Sequence, residues 1–194
     1  MGLSGCASVA NFSGVTLNDD AVYVSGVPPV RQDKDHACGA ACVAAVAAHW
    51  GVSLADFKTA FPRAPGDATG ADLQTIAEKL GLQAFAYTGS MDDLQENLAQ
   101  GRPVIAMIPV PLIGRGGFVA DGILNLWNQV GPRPRHWVVV VGVVGHDSVI
   151  IDDPLSGPLR VKQAEFSKWW ARNENLCVLI AARAEPSRRV GSNP

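Results

Sequence analysis

No run of apolar residues in this 194-residue chain approaches the roughly 20 needed to cross a bilayer as a helix. Positive charge is not in excess: the formal net charge is −2, and no basic face or basic-aromatic stripe recurs, which argues against a nucleic-acid partner. Charged residues make up 18% against 47% hydrophobic, so the composition is not that of a disordered chain, and the length suffices for one domain with a real core. Cysteine is scarce, at four residues, and the scatter of Cys6, Cys38, Cys42 and Cys177 is not that of a disulfide scaffold. A metal site drawn from His36, Cys38, Cys42 and His49 lacks paired short-spacing ligand motifs, and no metal or organic cofactor is expected.

What is present reads as an ordered succession of elements. After a polar leader, "AVYVSGVPPV" is extended, because Pro28 and Pro29 keep it from becoming helical. From Cys38 to about His49, alanine and valine predict a buried helix closed by Gly51. Ser53 caps a short helix through Ala60, and Thr69 or Gly70 begins another through Leu80, with Gly81 at its end. "LQAFAY" is strand-like, "MDDLQENLAQG" an amphipathic helix and "RPVIAMIPV" a buried strand. A glycine- and proline-bearing loop from Pro111 to Arg135 follows, placed to cover a cleft or simply to run over the surface. "HWVVVVGVV" and "DSVIID" then form an apolar hairpin about residues 145–147, and "LCVLIAA" is the last strand. Helices early and antiparallel strands late make an α+β order, not a doubly wound one. The expected organisation is a leader over residues 1–20, a domain over 21–184 and a disordered tail over 185–194.

One junction carries chemistry. "RQDKDHACGAACVAAVAAHW" turns from polar to apolar at Cys38, which opens the predicted helix. Exposed N–H groups and the positive end of the dipole favour a thiolate there, and the Cys38 N–H can face an oxyanion. Gln32, six residues earlier on an extended approach, can swing a second donor to that point, and Gly39 is expected to leave room for substrate. Cys42 and Cys177 read as small buried apolar residues. A thiol nucleophile needs a base and the base an orienter. His36 is too near in sequence, His49 lies about three helical turns away and His146 sits in the hairpin turn, which leaves His136, at the start of the most apolar strand. The partner strand ends in Asp152-Asp153, and either carboxylate can receive an imidazole N–H. Simple counting about the turn sets Asp153 nearer Val139 or Val140, a lag of roughly 10 to 13 Å that calls for twist, a bulge or a bend at Pro154.

These residues resemble the double-glycine peptidase family, papain-like cysteine peptidases of bacteriocin exporters and related free-standing proteins. The likeness rests on Gln32, Cys38-Gly39 with Ala41 and Cys42, "LAQGRPVIAMI", His136-Trp137-Val138-Val139 and Asp153-Pro154, and runs from about Val27 to Ala184. It implies a papain-like α+β fold, with Cys38 as nucleophile, His136 as general base and acid, Asp153 as orienter, Gln32 as oxyanion donor, and a peptide or protein substrate. Aspartate directly before proline is the family pattern, which favours Asp153 over Asp152. Ala37 departs from it, since the family usually has aspartate before the cysteine. No transporter sequence follows in this chain, so docking of a leader to an exporter is not implied. A thiol acyltransferase or amidase, and a catalytically silent peptide-binding module, are the alternative readings.

Leu3-Ser4-Gly5-Cys6 resembles a bacterial lipobox, although only five residues precede the cysteine. Ala7 and Ser8 lack the aspartate that retains such proteins in the inner membrane. The expectation is a lipid-anchored protein on the periplasmic side of the envelope, at the outer membrane, held through Cys6.

Overall fold

The computed structural model describes residues 21–33, 36–61, 66–109 and 135–183. The leader with Cys6, most of the Pro111 to Arg135 loop and the C-terminal tail lie outside them.

Strand β1 (Ala21–Tyr23) is short and leads into the proline-containing approach. Helix α1 (Cys38–His49) follows from its alanine and valine content and is buried on every side from Cys38 to Ala47, which makes it the central helix. Gly51 ends it with φ of 89°, a conformation a side chain would resist. Helix α2 (Leu54–Ala60) is capped by Ser53, whose Oγ accepts from the Asp56 N–H at 3.1 Å. Helix α3 (Gly70–Lys79) starts at Thr69 and α4 (Met91–Ala99) at Ser90, each in a reciprocal capping box with Asp72 and Asp93 respectively. Each cap is worth about 1 kcal/mol, enough to fix where so short a helix begins.

The strands are β2 (Gln83–Thr88), β3 (Val104–Pro109), β4 (Arg135–Val144), β5 (Ser148–Asp153), β6 (Gly157–Lys162) and β7 (Leu176–Ala181). They form one antiparallel sheet in the order β2-β7-β3-β4-β5-β6, with β1 pairing the C-terminal end of β4. Helix α1 packs on β4 and β7, and α5 (Gln163–Ala171) packs on β3, β5 and β6. Trp137, Trp170 and Phe166 are among the largest side chains fully enclosed.

Residues 157–171 carry two elements that the sequence pattern does not announce, β6 and α5. Strand β6 is an edge strand containing Pro158, whose missing N–H costs nothing on an open side. Helix α5 begins at Lys162 with no side-chain cap, so neither end of this region bears a start signal.

Candidate active site

The head of α1 and the start of β4 meet at one buried point. Cys38 is the first residue of α1, and Ala37 before it caps with no side chain. The first N–H groups of the helix therefore keep no side-chain acceptor at Ala37 and face whatever lies at its end. The Trp137 N–H points at Cys38 Sγ with an N···S distance of 3.5 Å, and the His136 side chain hydrogen-bonds the thiol. The other face of that imidazole, at Nε2, lies 2.7 Å from Asp153 Oδ1, and both side chains are at most 2% exposed. Asp153 is held in turn by the Leu155 N–H, which donates to Oδ1 at 2.8 Å, and by Ser156.

A one-residue irregularity decides which aspartate reaches the histidine. In the β4–β5 ladder Val144, Val143 and Gly142 face Ser148, Val149 and Ile150, but Val140 and Val139 then face Ile151 and Asp152, so Val141 is an extra residue. Continuing the shifted register sets Asp153 opposite Val138, two residues from His136 and on the same face of the sheet, a diagonal neighbour. Without the bulge Asp153 would face Val139, on the other side of the pleat from His136. The bulge shortens the lag counted from the sequence to two residues and brings Asp153 to the face of His136. Asp152 instead shares a face with Gly142, where the ring of Tyr23 lies within 2.9 Å of the position a Cβ would take.

The electrostatics follow the geometry. Burial pushes the Cys38 thiol up, but its bonds to His136 and to the Trp137 and Gly39 N–H groups, with the charge of His136, outweigh that and hold it below its ordinary value. Burial alone would lower His136, yet its bonds to Asp153 and Cys38 raise it to about 9. Burial also opposes Asp153, whose bonds to His136 and Leu155 bring it below the usual carboxylate range. All three directions favour the charged forms, a thiolate, an imidazolium and a carboxylate, over the neutral ones. Cys42, one turn further along α1, is fully enclosed and its thiol is pushed far up, by burial first and then by Cys38 and the two aspartates. Asp152, 4% exposed, is raised by burial to about 6, and neither oxygen has a hydrogen-bond partner among the described residues.

The remaining sequence candidates fall as follows. The Gln32 N–H donates to the Pro154 carbonyl at 3.1 Å, which ties the approach segment to the turn after Asp153. The Gln32 side chain lines a cavity of about 500 Å³ with Ala37, the residue before the thiol, and this cavity is floored by Ala40, Ala41 and Ala44 and walled by Leu54 and Phe57. Gly39 does not leave room for substrate: a Cβ there would meet Leu73 at 2.9 Å, Trp137 at 3.0 Å and Ala68 at 3.2 Å, so the glycine serves core packing. His49 Nε2 pairs with the Gly101 carbonyl at 3.0 Å, and His146 is exposed in the hairpin turn. The sequence reading quotes Trp137 only as a motif letter and misses the contacts of its N–H groups; a strand residue flanking a histidine is the signal for the first. Among the described residues no group of three or more His, Cys, Asp or Glu side chains could hold a metal ion, and no helix is long and apolar enough to cross a membrane.

Residues 24–178 match the family described as Peptidase C39 like. The lactococcin-G-processing and transport ATP-binding protein LagD of Lactococcus lactis subsp. lactis is 29% identical over 149 residues, which span 73% of this chain and 17% of that protein. The chain thus spans about a sixth of that relative. A C39-like peptidase of Bacillus anthracis superposes with a TM-score of 0.65 at 17% identity, covering 86% of this chain and all of that one. The peptidase domain of Streptococcus ComA, a bi-functional ABC transporter of a quorum-sensing pathway, gives 0.57 at 22% identity over 79% of this chain and 97% of that one. A double glycine motif protease from an AMS/PCAT transporter, in complex with its leader peptide, gives 0.55 at 20% identity over 83% and 94%. At these identities the structural likeness speaks for the fold, which is the papain-like α+β arrangement that the resemblance implied.

Proposed function

The chain belongs to the Peptidase C39-like family, and from that premise we propose that it is a cysteine peptidase working through Cys38, His136, Asp153 and Gln32. The observation that carries this reading is the buried Cys38–His136–Asp153 chain, in which the thiol is held low although burial opposes it. The Cys38 thiolate attacks the carbonyl carbon of a peptide bond. The oxyanion that forms is met by the Cys38 N–H, at a helix start without a side-chain cap, and by the Gln32 side-chain amide. The His136 imidazolium, carrying its proton on the nitrogen that faces Cys38, gives it to the leaving amine. What remains is a thioester between Cys38 and the acyl half. Neutral His136 takes a proton from water, the hydroxide displaces the thiolate, and the acid product leaves. Asp153 keeps the ring oriented throughout and offsets the imidazolium charge.

The cavity beside Gln32 gives a substrate side chain somewhere to go. Its alanine floor and the Leu54 and Phe57 wall suit a bulky apolar residue near the scissile bond, with Lys58 at the rim favouring an acidic neighbour. Leu54, one of the exposed large hydrophobics among the described residues, lines this cavity and adds to its apolar wall.

Attachment through Cys6 belongs to the same proposal. Ala21 pairs with Val144, at the opposite end of β4 from His136 and roughly 26 Å away along the strand. The segment bearing Cys6 therefore joins the domain at the end of β4 remote from the thiol. Incorporation of an alkyne fatty acid in a bacterial host, lost in Cys6→Ala, is the expected signature of lipidation.

The decisive experiment is to incubate the wild type and Cys38→Ala with a proteome-derived peptide mixture and map new termini by mass spectrometry. New termini only with the wild type, and a Cys38 thioester trapped at low pH, support the peptidase. Termini common to both proteins, or none, remove it; product transfer to an added amine in preference to water would reassign it as an acyltransferase.

A further inference from the structure

Residues 66–68 touch the site's two halves without belonging to either. On one side the Asp67 N–H donates to the His36 carbonyl at 2.9 Å, and the Asp67 carboxylate lies 2.8 Å from His36 Nδ1. Both residues sit in the left-handed region, at φ of 63° for His36 and 49° for Asp67, so two non-glycine residues accept backbone strain to face one another. His36 is two residues before the nucleophile. On the other side the Ala68 carbonyl accepts the Trp137 indole N–H at 2.8 Å in a buried bond, and Trp137 follows the base. Thr69 then locks into the α3 capping box with Asp72, which fixes the segment to a helix. The Trp137 ring edge and Ala68 close over Gly39, in the first turn of α1.

We propose that residues 66–68 are a clamp and Trp137 a positioning residue: the clamp seats the start of β4 against the head of α1, and so aims the Trp137 N–H at the Cys38 thiolate. The proposal rests on the reading of Cys38 as a thiolate nucleophile. At an N···S distance of 3.5 Å that bond has an ordinary length for a sulfur acceptor, and it weakens as the strand end moves away from the head of α1. The indole–Ala68 bond is the one polar contact among the described residues that fixes the Trp137 side chain, and removing its donor leaves a buried carbonyl with no partner and uncouples residues 66–68 from a strand end that β3 alone then holds, through Met107 and Ile108.

The test is the pH profile of Cys38 alkylation by iodoacetamide on the full chain, quantified on the Cys38 peptide by mass spectrometry. Trp137→Phe keeps an aromatic ring in place of the indole and removes its donor; Asp67→Pro, at an exposed residue, removes the N–H to His36 and forbids its backbone conformation. The expected result is a midpoint about one pH unit higher in Trp137→Phe, which is a tenfold lower rate below the midpoint with the same plateau above it, and a smaller shift in the same direction in Asp67→Pro. Wild-type midpoints in the folded variants overturn the clamp, as does a change confined to the plateau. If Trp137→Phe does not fold, Asp67→Pro decides alone by the same two outcomes. A wild-type midpoint as high as that of a free thiol, about 8.5, would instead remove the nucleophile itself, so the two failures are told apart.

Discussion

The head of α1 and the β4–β5 hairpin each hold two copies of the same side chain, and each makes one of them different from the other. On the helix Cys38 and Cys42 are four residues apart, on one face, and are separated by depth: the first turn meets His136 and the Trp137 and Gly39 N–H groups, while the next turn is sealed in the core. On the hairpin Asp152 and Asp153 are adjacent and are separated by parity, because successive strand residues point to opposite faces. A helix sorts like residues along its axis and a strand sorts them across its plane. The candidate site exists where the shallow end of the first meets the bulge-selected face of the second.

The largest break in this comparison is the thiol itself. Cys38→Ala is expected to abolish hydrolysis, whereas Cys42→Ala keeps most of it, as measured by turnover of any peptide identified in the terminus mapping; equal losses would mean that depth does not sort the pair. Next in size is the carboxylate pair. Asp153→Asn should lower kcat/KM on the order of 10²-fold or more by freeing the His136 ring, and Asp152→Asn should leave it within about threefold, since Asp152 lies on the other face.

The pH dependence sharpens the same contrast. Turnover should rise with pH as the depressed Cys38 thiol ionises, and fall above about 9 as His136 loses the proton it gives to the leaving amine. For stability the signs differ by residue. His136 is raised from an ordinary 6.5, so its contribution is present below that value and is lost as pH climbs through about 9. Asp152 is raised to about 6, so the native state resists its ionisation and loses stability between about 4 and 6, by up to about 3 kcal/mol. Replacing Asp152 by Asn should flatten the fall in Tm between pH 4 and pH 7; a slope unchanged from the wild type would show that Asp152 is not enclosed as described. The smallest expected effect is at the cavity rim. Lys58→Glu should raise KM a few-fold for peptides bearing an acidic residue beside the apolar one, with kcat little changed.

Much of this was legible in the sequence, for local reasons. Ser53 and Thr69 mark helix starts by their own hydrogen bonds, Gly51 and Gly81 mark ends and the amphipathic pattern of "MDDLQENLAQG" marks a helix, so α1 to α4 and the strands between them could be read directly. Strand β6 and helix α5 could not, because an uncapped start at Lys162 and a proline in an edge strand leave no such mark. Cys38 and His136 stood out through their position at a helix start and a strand start. Their meeting with Asp153 depended on the Val141 bulge, for which Gly142 in an otherwise valine-rich strand was the one local hint. The role expected of Gly39 was reversed, since only the folded core brings Leu73, Trp137 and Ala68 around it.

The bond from the Gln32 N–H to the Pro154 carbonyl has a consequence for motion. It joins the approach segment to the residue immediately after Asp153, across more than a hundred residues of chain. Opening of either piece must break it, so the two should come loose in a single event rather than separately. The Gln32 backbone amide proton is then a native gauge of how often the candidate site comes apart: its exchange with deuterated solvent should keep pace with that of Leu155, and should lag far behind that of the exposed turn at His146.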